Sequence, residues 1–185
     1  LFLREELAAV LGGRGRLVLL DGEAGIGKTT LAEDLAAEAA SRGLRVLTGA
    51  CYDLTNTPPY GLWRNVFEVR ARDCDIPPPP ASFTDARLAS ADDQASLFAE
   101  VSGFFRELAS TGPALVVLED LHWADPDSLQ LLRYLAPRLR HWPILLLVTY
   151  RGDELTRRHP FAMQLPVLVR EGAGLRLQLR RIDVA

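Results

Sequence analysis

The stretch that most constrains the fold of this chain reads GEAGIGKT and occupies residues 22–29. It fits the pattern G-x-x-x-x-G-K-[ST], and its flanks supply the required context: a buried-strand pattern over residues 16–21 and a helical pattern over residues 29–42. Glycines lack a Cβ, so successive backbone N–H groups can point inward, and the following helix adds unpaired N–H groups and a positive dipole end. The stretch therefore predicts a polyphosphate-binding loop between a strand and a helix.

The predicted phosphate site takes in nine consecutive residues: Gly22, Glu23, Ala24, Gly25, Ile26, Gly27, Lys28, Thr29 and Thr30. We expect Lys28 to reach the outer phosphates as a point charge, and the Thr29 hydroxyl to complete the shell of a bridging Mg²⁺ ion. Lys28 is the only lysine in the chain, which otherwise uses arginine. This choice fits the site, because the broader guanidinium is a poor replacement between phosphate oxygens.

Length and composition exclude several classes of protein. A chain of 185 residues suffices for one α/β domain, so we expect residues 1–185 to form a single nucleotide-binding domain. The net charge of −3 predicts no binding of nucleic acid or an anionic membrane by this chain. Cys51 and Cys74 have no metal-like spacing, and no secretory signal or membrane-length apolar run is visible, which predicts a reduced, cytoplasmic protein. Because the chain begins with Leu1 and not methionine, we expect a piece of a longer protein.

Strand and helix patterns alternate along the chain. Besides residues 16–21, strand patterns occupy residues 44–51, 114–120, 143–149 and 175–180, the last alternating as an edge strand does. Helical patterns occupy residues 3–11, 29–42, 60–72 and 159–170, a segment that Asp92 or Asp93 can cap, and a segment opened by Asp125 and Pro126. Four prolines at residues 77–80 predict a surface loop. Right-handed crossovers between these strands predict a five-stranded parallel sheet with its ligand at the carboxyl ends.

Two carboxylates follow the most apolar of these strands. Residues 114–118 are apolar without interruption, as expected for a strand covered on both faces, and Glu119 and Asp120 come directly after them. This arrangement matches the second nucleotide motif, in which one carboxylate holds Mg²⁺ and its neighbour polarises the attacking water.

A further strand should end near the same point. Residues 143–149 form an apolar run that delivers Tyr150 and Arg151 at its end. Because parallel strands present their carboxyl ends at one edge of the sheet, strands ending near Gly22, Glu119 and Arg151 should converge on one crevice.

The motifs VLEDLHWAD at residues 117–125 and TYR at residues 149–151, taken with the glycine-rich loop, carry a family resemblance over nearly the whole chain. The chain resembles the nucleotide-binding domain of the STAND class, the signal-transduction ATPases with numerous domains, within the wider AAA-like P-loop proteins. It looks most like the ATPase domain of the large ATP-binding LuxR-family transcriptional regulators of bacteria. The resemblance implies a P-loop NTPase fold, a three-layer α/β/α sandwich with strand order 5-1-4-3-2, and ATP and Mg²⁺ as cofactors.

The resemblance also implies roles for individual side chains. Glu119 and Asp120 would serve the Mg²⁺ ion and the attacking water, and Arg151 would sense the γ-phosphate; with Lys28 they form the implied catalytic set. Many relatives have aspartate at the first acidic position, so the longer Glu119 leaves open which acid orders the metal. We expect Glu119 in the metal shell and Asp120 at the water.

Neighbouring residues have simpler interpretations. Asp125 is first a helix cap. His122 and Trp123 are expected to pack and to orient the loop after the acids. Arg157 and Arg158 form an isolated pair typical of solvated surface, with a finger acting on a neighbouring subunit as the alternative.

Relatives continue with a helical lid, a winged-helix domain, a repeat-type sensor region and a C-terminal helix-turn-helix, and we expect this chain to stop before them. The implied function is a regulatory switch that binds Mg-ATP, hydrolyses it slowly and controls assembly, with self-association through this domain and DNA binding by a missing C-terminal domain. Two alternatives stay open: the same core in an adenylate-cyclase or protein-kinase signalling chain, and a nucleotide-binding scaffold without turnover, in which Glu119 reflects lost catalysis.

Overall fold

The fold is described by a computed structural model over residues 1–53, 58–68, 76–84, 94–172 and 174–181. In these ranges the strands are β1 (Arg16–Asp21), β2 (Arg45–Ala50), β3 (Ala114–Glu119), β4 (Ile144–Tyr150) and β5 (Gly174–Gln178). The helices are α1 (Phe2–Leu11), α2 (Lys28–Ser41), α3 (Gly61–Glu68), α4 (Ala81–Thr84), α5 (Gln94–Ser110), α6 (Pro126–Leu135) and α7 (Pro160–Glu171). Short 3₁₀ turns occur at Leu121–Trp123, Ala136–His141 and Gly152–Glu154.

The described strands form one parallel sheet with the order β2-β3-β4-β1-β5. Read from the opposite edge, this is the predicted order 5-1-4-3-2, so the α/β class and the sheet topology are confirmed. Strand β1 lies between β4 and β5, and its register with β4 sets Asp21 level with Tyr150. The carboxyl ends of β1 and β4 therefore lie side by side, where a parallel sheet of this kind binds its ligand.

Alternate residues of β1 divide the apolar core between the two faces of the sheet. Leu17 and Leu19 pack with side chains of α3, α5, α6 and α7, whereas Val18 and Leu20 pack with side chains of α1 and α2. All four side chains are fully buried, and each such burial stabilises the fold by about 1.5–3 kcal/mol. Helices thus cover both faces, which explains why the strands are apolar without alternation and confirms the three-layer sandwich.

The proline run is irregular, as predicted, but it does not lie wholly at the surface. Pro77 and Pro80 are buried, while Pro78 is exposed. Two apolar residues on either side of the run explain this difference. Ile76 and Phe83 both pack against the core, and the prolines between them therefore lie close to the protein.

Several helix and strand boundaries differ by a residue or two from the predicted patterns. Some predicted features lie outside the described ranges. Helix α3 ends at Glu68, and residues 69–72 of the predicted helix lie outside the described ranges, as do Cys74 and the proposed caps Asp92 and Asp93. None of the helices in the described ranges has the length and apolar character needed to cross a bilayer.

Candidate nucleotide-binding site

The glycine-rich loop joins the carboxyl end of β1 to the first turn of α2. Gly25 and Gly27 have φ values of 71° and 101°, in the left-handed region where a side chain would strain the backbone. Among the described residues, the backbone N–H groups of Gly27, Lys28 and Thr29 have no hydrogen-bond acceptor. Donors left unpaired at a helix N-terminus form an anion site, so the loop fits the polyphosphate that its sequence predicts.

Lys28 lies at the centre of this loop. Its side-chain nitrogen Nζ donates to the carbonyl oxygens of Gly22 at 2.7 Å and Glu23 at 2.9 Å, so it joins the first residue of α2 to the start of the loop. Lys28 is only 7% exposed, and burial lowers the pKa of its ammonium, whereas the charge of Asp120 opposes that shift. An ammonium has three donors, and two are used within the loop, which leaves one for a phosphate oxygen.

The two acids lie at the end of β3, beside the loop. Burial raises the pKa of Glu119, and a side-chain hydrogen bond with Thr29 opposes that rise. Asp120 adopts a left-handed conformation with φ 56° and ψ 45°, which is uncommon for a residue with a side chain. Its N–H donates to the Thr149 hydroxyl at 3.1 Å, and this bond helps to hold the conformation. Thr29 and Glu119, predicted from separate motifs, are thus brought together.

The side-chain oxygens of Thr29, Glu119 and Asp120 suit Mg²⁺ better than an ion that requires a full set of protein ligands. In the described ranges, no group of three or more histidine, cysteine or acidic side chains could hold a metal. Mg²⁺ keeps several waters and needs only one or two protein ligands beside substrate phosphates. The Thr29 hydroxyl with a carboxylate of Glu119 or Asp120 meets that requirement.

Arg151 follows β4 and does not point freely into solvent. Its Nη1 donates to Glu154 Oε1 at 2.6 Å, and its guanidinium carbon lies 5.0 Å from the centre of the Trp123 ring. The hydrogen bond to Glu154 raises the pKa of Arg151, and the charges of Asp120 and Lys28 also interact with it. The predicted sensor therefore lies beside the loop and the acids, but in an ion pair.

His122 is buried below this pair. Nδ1 lies 3.9 Å from Asp120 Oδ1 and Nε2 lies 3.4 Å from Glu154 Oε2, yet neither nitrogen makes a hydrogen bond of good geometry. Burial lowers the pKa of His122, so its neutral form is favoured. The ring also packs on Trp123, with ring centres 4.5 Å apart. This agrees with the predicted packing role of both residues.

Asp21 was missed by the sequence analysis, because it looks like the polar end of a buried strand. Its Oδ1 accepts from the N–H of Gly152 at 2.9 Å, which fixes the turn after Arg151 to the end of β1. A Cβ at residue 152 would lie 2.6 Å from the same oxygen, so any side chain at this position would displace the Asp21 carboxylate. Tyr150, the last residue of β4, packs in the core against Phe161.

Asp125 does more than cap a helix. It caps α6 by accepting from the N–H of Ser128 at 2.8 Å, as predicted. It also accepts from the N–H groups of Tyr60 and Gly61, at 3.0 and 3.2 Å, across some 65 residues of chain. This acid therefore fastens the start of α3 to the segment that follows Glu119 and Asp120.

Two clefts lie on opposite sides of the sheet, and the first of them adjoins the loop. One, of about 990 Å³, is lined by polar and apolar side chains, which include Asp21, Arg176, Ile26 and Leu155. The other, of about 740 Å³, lies between α1, α2 and β5, and its lining includes Phe2, Leu31 and other apolar side chains.

The parallel sheet of this order, with a glycine-rich loop after β1 and acids after β3, defines a P-loop nucleotide-binding fold. The model of the AAA ATPase domain family matches residues 2–148, and the chain belongs to that family.

Solved structures and one curated relative extend the comparison. Two chains from Drosophila ORC structures, one bound to DNA and one bound to AT-rich DNA and Cdc6, share the fold with TM-scores of 0.58 and 0.59. Each is 13% identical; the matches cover 99% and 96% of this chain and 91% and 52% of those chains. An uncharacterized protein of Rhizobium meliloti (strain 1021) is 28% identical over 77% of this chain. The match spans only 17% of that protein.

Proposed function

We propose that this domain binds Mg-ATP at residues 22–30 and acts as a regulatory switch in a larger protein. The observation that carries the proposal is the convergence of Lys28, Thr29, Glu119 and Arg151 on one edge of the sheet, around backbone N–H groups without acceptors. A triphosphate would satisfy those donors and separate the positive and negative side chains that now interact with one another.

The positions of the side chains indicate which of them would bind the metal ion, the attacking water and the phosphates. Thr29 and Glu119, which already contact one another, would hold Mg²⁺, and the bound ion would neutralise charge on the β- and γ-phosphates. Asp120, next in the chain, would accept the proton of the attacking water. Lys28 would donate to the outer phosphates, and Arg151 would contact the γ-phosphate after leaving Glu154.

We infer that the cleft between α1, α2 and β5 receives the base of the nucleotide. It begins next to the first turn of α2, where the phosphates would lie, and Leu31 and Phe2 offer apolar surface to an aromatic ring.

The motifs favour a large LuxR-type regulator as the parent protein. In that setting this domain would hydrolyse ATP slowly, self-associate when loaded, and leave DNA binding to another domain; residues 1–185 would be the single ATPase domain of that chain. The same core in an adenylate-cyclase or kinase signalling protein would bind nucleotide identically.

A non-hydrolysing scaffold is the second candidate, and the pairing of Arg151 with Glu154 favours it, since a catalytic arginine must be available to the phosphate. Steady-state phosphate release from Mg-ATP separates the two. A switch predicts slow release that disappears in Asp120→Asn and persists in Asp127→Asn, which removes the same charge from α6. Absence of release in the parent chain, with ATP bound, would select the scaffold.

A further inference from the structure

The ion pair of Arg151 and Glu154 is built into the turn after β4. Glu154 ends the 3₁₀ turn that begins at Gly152, so it lies three residues after Arg151. One carboxylate oxygen accepts from Arg151 at 2.6 Å, and the other faces His122 at 3.4 Å. Because Asp21 holds the N–H of Gly152, the turn cannot slide away from the site without breaking that bond.

We propose that Glu154 is a positioning residue that holds Arg151 in a resting pair and thereby sets how strongly the domain prefers a nucleoside triphosphate over a diphosphate. This inference rests on the proposed function of the same site.

Competition for one guanidinium gives the physical basis. The charge of Arg151 already interacts with those of Lys28 and Asp120, so a γ-phosphate held by the loop would attract it. We expect Arg151, in reaching that phosphate, to exchange the charge-assisted bond that its Nη1 donates to Glu154. A diphosphate has no γ-phosphate and leaves the pair intact. The pair therefore opposes only the triphosphate state, and a ligand shifts an equilibrium only through such a difference.

The surroundings of Glu154 allow the pair to open without a large penalty. Its side chain is 40% exposed, so water can solvate the carboxylate that Arg151 leaves. The guanidinium retains its contact with the Trp123 ring, which can serve as a platform in both positions. Partly exposed pairs of this kind contribute modestly, so removing the pair should raise the triphosphate preference by roughly two- to fivefold.

The test is calorimetric titration of the 185-residue chain with Mg-ADP and with a non-hydrolysable Mg-ATP analogue. Glu154→Gln keeps the shape of the side chain and removes its charge. Asp153→Asn is the matched control, because Asp153 is exposed in the same turn and its charge acts on Arg151 and Lys28, without a direct bond to Arg151. Both substitutions are repeated in an Arg151→Ala background.

The inference predicts that Glu154→Gln raises the ratio of analogue affinity to ADP affinity, that Asp153→Asn changes it less, and that the gain disappears when Arg151 is alanine. An unchanged ratio in Glu154→Gln, an equal gain in Asp153→Asn, or a gain that survives in the Arg151→Ala background overturns it. Lys28→Ala separates this failure from that of the proposed function: loss of binding in that variant supports the nucleotide site whatever Glu154 does, whereas no Lys28-dependent binding at all refutes both.

Discussion

Replacing Asp125 by alanine should be among the most destabilising single changes in this domain. The Asp125 side chain is 6% exposed and accepts four hydrogen bonds, two from Ser128 and one each from the N–H groups of Tyr60 and Gly61. Losing a helix cap costs about 1 kcal/mol. Each buried donor left without an acceptor costs a further ~1–3 kcal/mol. Because water can reach the partly buried Gly61, we expect a total loss of roughly 3–5 kcal/mol.

The backbone of Tyr60 gives a second reason to expect a large loss of stability. It has a φ of 57°, a left-handed conformation that a tyrosine adopts only when its surroundings hold it there. The bond from its N–H to Asp125 is one such restraint, so the alanine variant should also release the start of α3. Asparagine retains one acceptor oxygen, and we expect it to lose only about 1–2 kcal/mol.

Equilibrium unfolding in urea, followed by circular dichroism, measures the change. Tryptophan fluorescence adds a second probe, to which Trp63 contributes through an indole N–H that donates to the Ser128 carbonyl oxygen at 3.0 Å. Asp127→Ala is the matched control: it lies in the first turn of the same helix and should lose no more than about 1 kcal/mol through the helix dipole. If Asp125→Ala loses no more stability than Asp127→Ala, the reasoning from the four bonds is wrong.

Two further predictions concern groups whose pKa is shifted. Glu119→Gln should stabilise the metal-free domain at neutral pH, because burial raises the pKa of Glu119. The stability that comes from the protonated form of Glu119 is present below the ordinary glutamate pKa and is lost as pH rises through the raised pKa. The same substitution should weaken Mg²⁺-dependent ATP binding. The urea midpoints of the parent chain and of Glu119→Gln should therefore differ at neutral pH and converge in acid. A gain in stability that is independent of pH would contradict this cause. Burial, with the charges of Asp125 and Asp120, raises the pKa of the Cys51 thiol to about 12. In a Cys74→Ser background, this thiol should therefore react with a disulfide reagent only after unfolding in urea. Rapid reaction of the folded domain would refute this prediction.

The fold was predictable because its signals are local and repeated. The loop pattern, the apolar runs without alternation and the crossover rule predict a parallel five-stranded sheet, and the family resemblance implies its order, which the structure has. The meeting of Thr29 with Glu119 was predictable for the same reason, since both follow parallel strands at one edge.

The contacts that hold the site together were less predictable. Asp21 binds the N–H of Gly152 across 131 residues, and no pattern in either segment indicates the partner. Asp125 could be recognised as a cap from the proline that follows it, but its bonds to Tyr60 and Gly61 depend on how α3 packs. Glu154 is the exception: its spacing of three residues from Arg151 was a visible signal for a pair.

The central claim is that Lys28 and the unpaired N–H groups of its loop bind the phosphates of ATP, and calorimetric titration with Mg-ATP tests it most directly. Two variants should be compared with the parent chain: Lys28→Ala, and Arg42→Ala, which removes a positive charge just beyond the far end of α2. With both variants shown to be folded by circular dichroism, the account predicts that Lys28→Ala lowers affinity by about thirtyfold or more, the equivalent of one strong charge-assisted bond, and that Arg42→Ala leaves it nearly unchanged. Equal affinity in the parent chain and in Lys28→Ala would contradict the account.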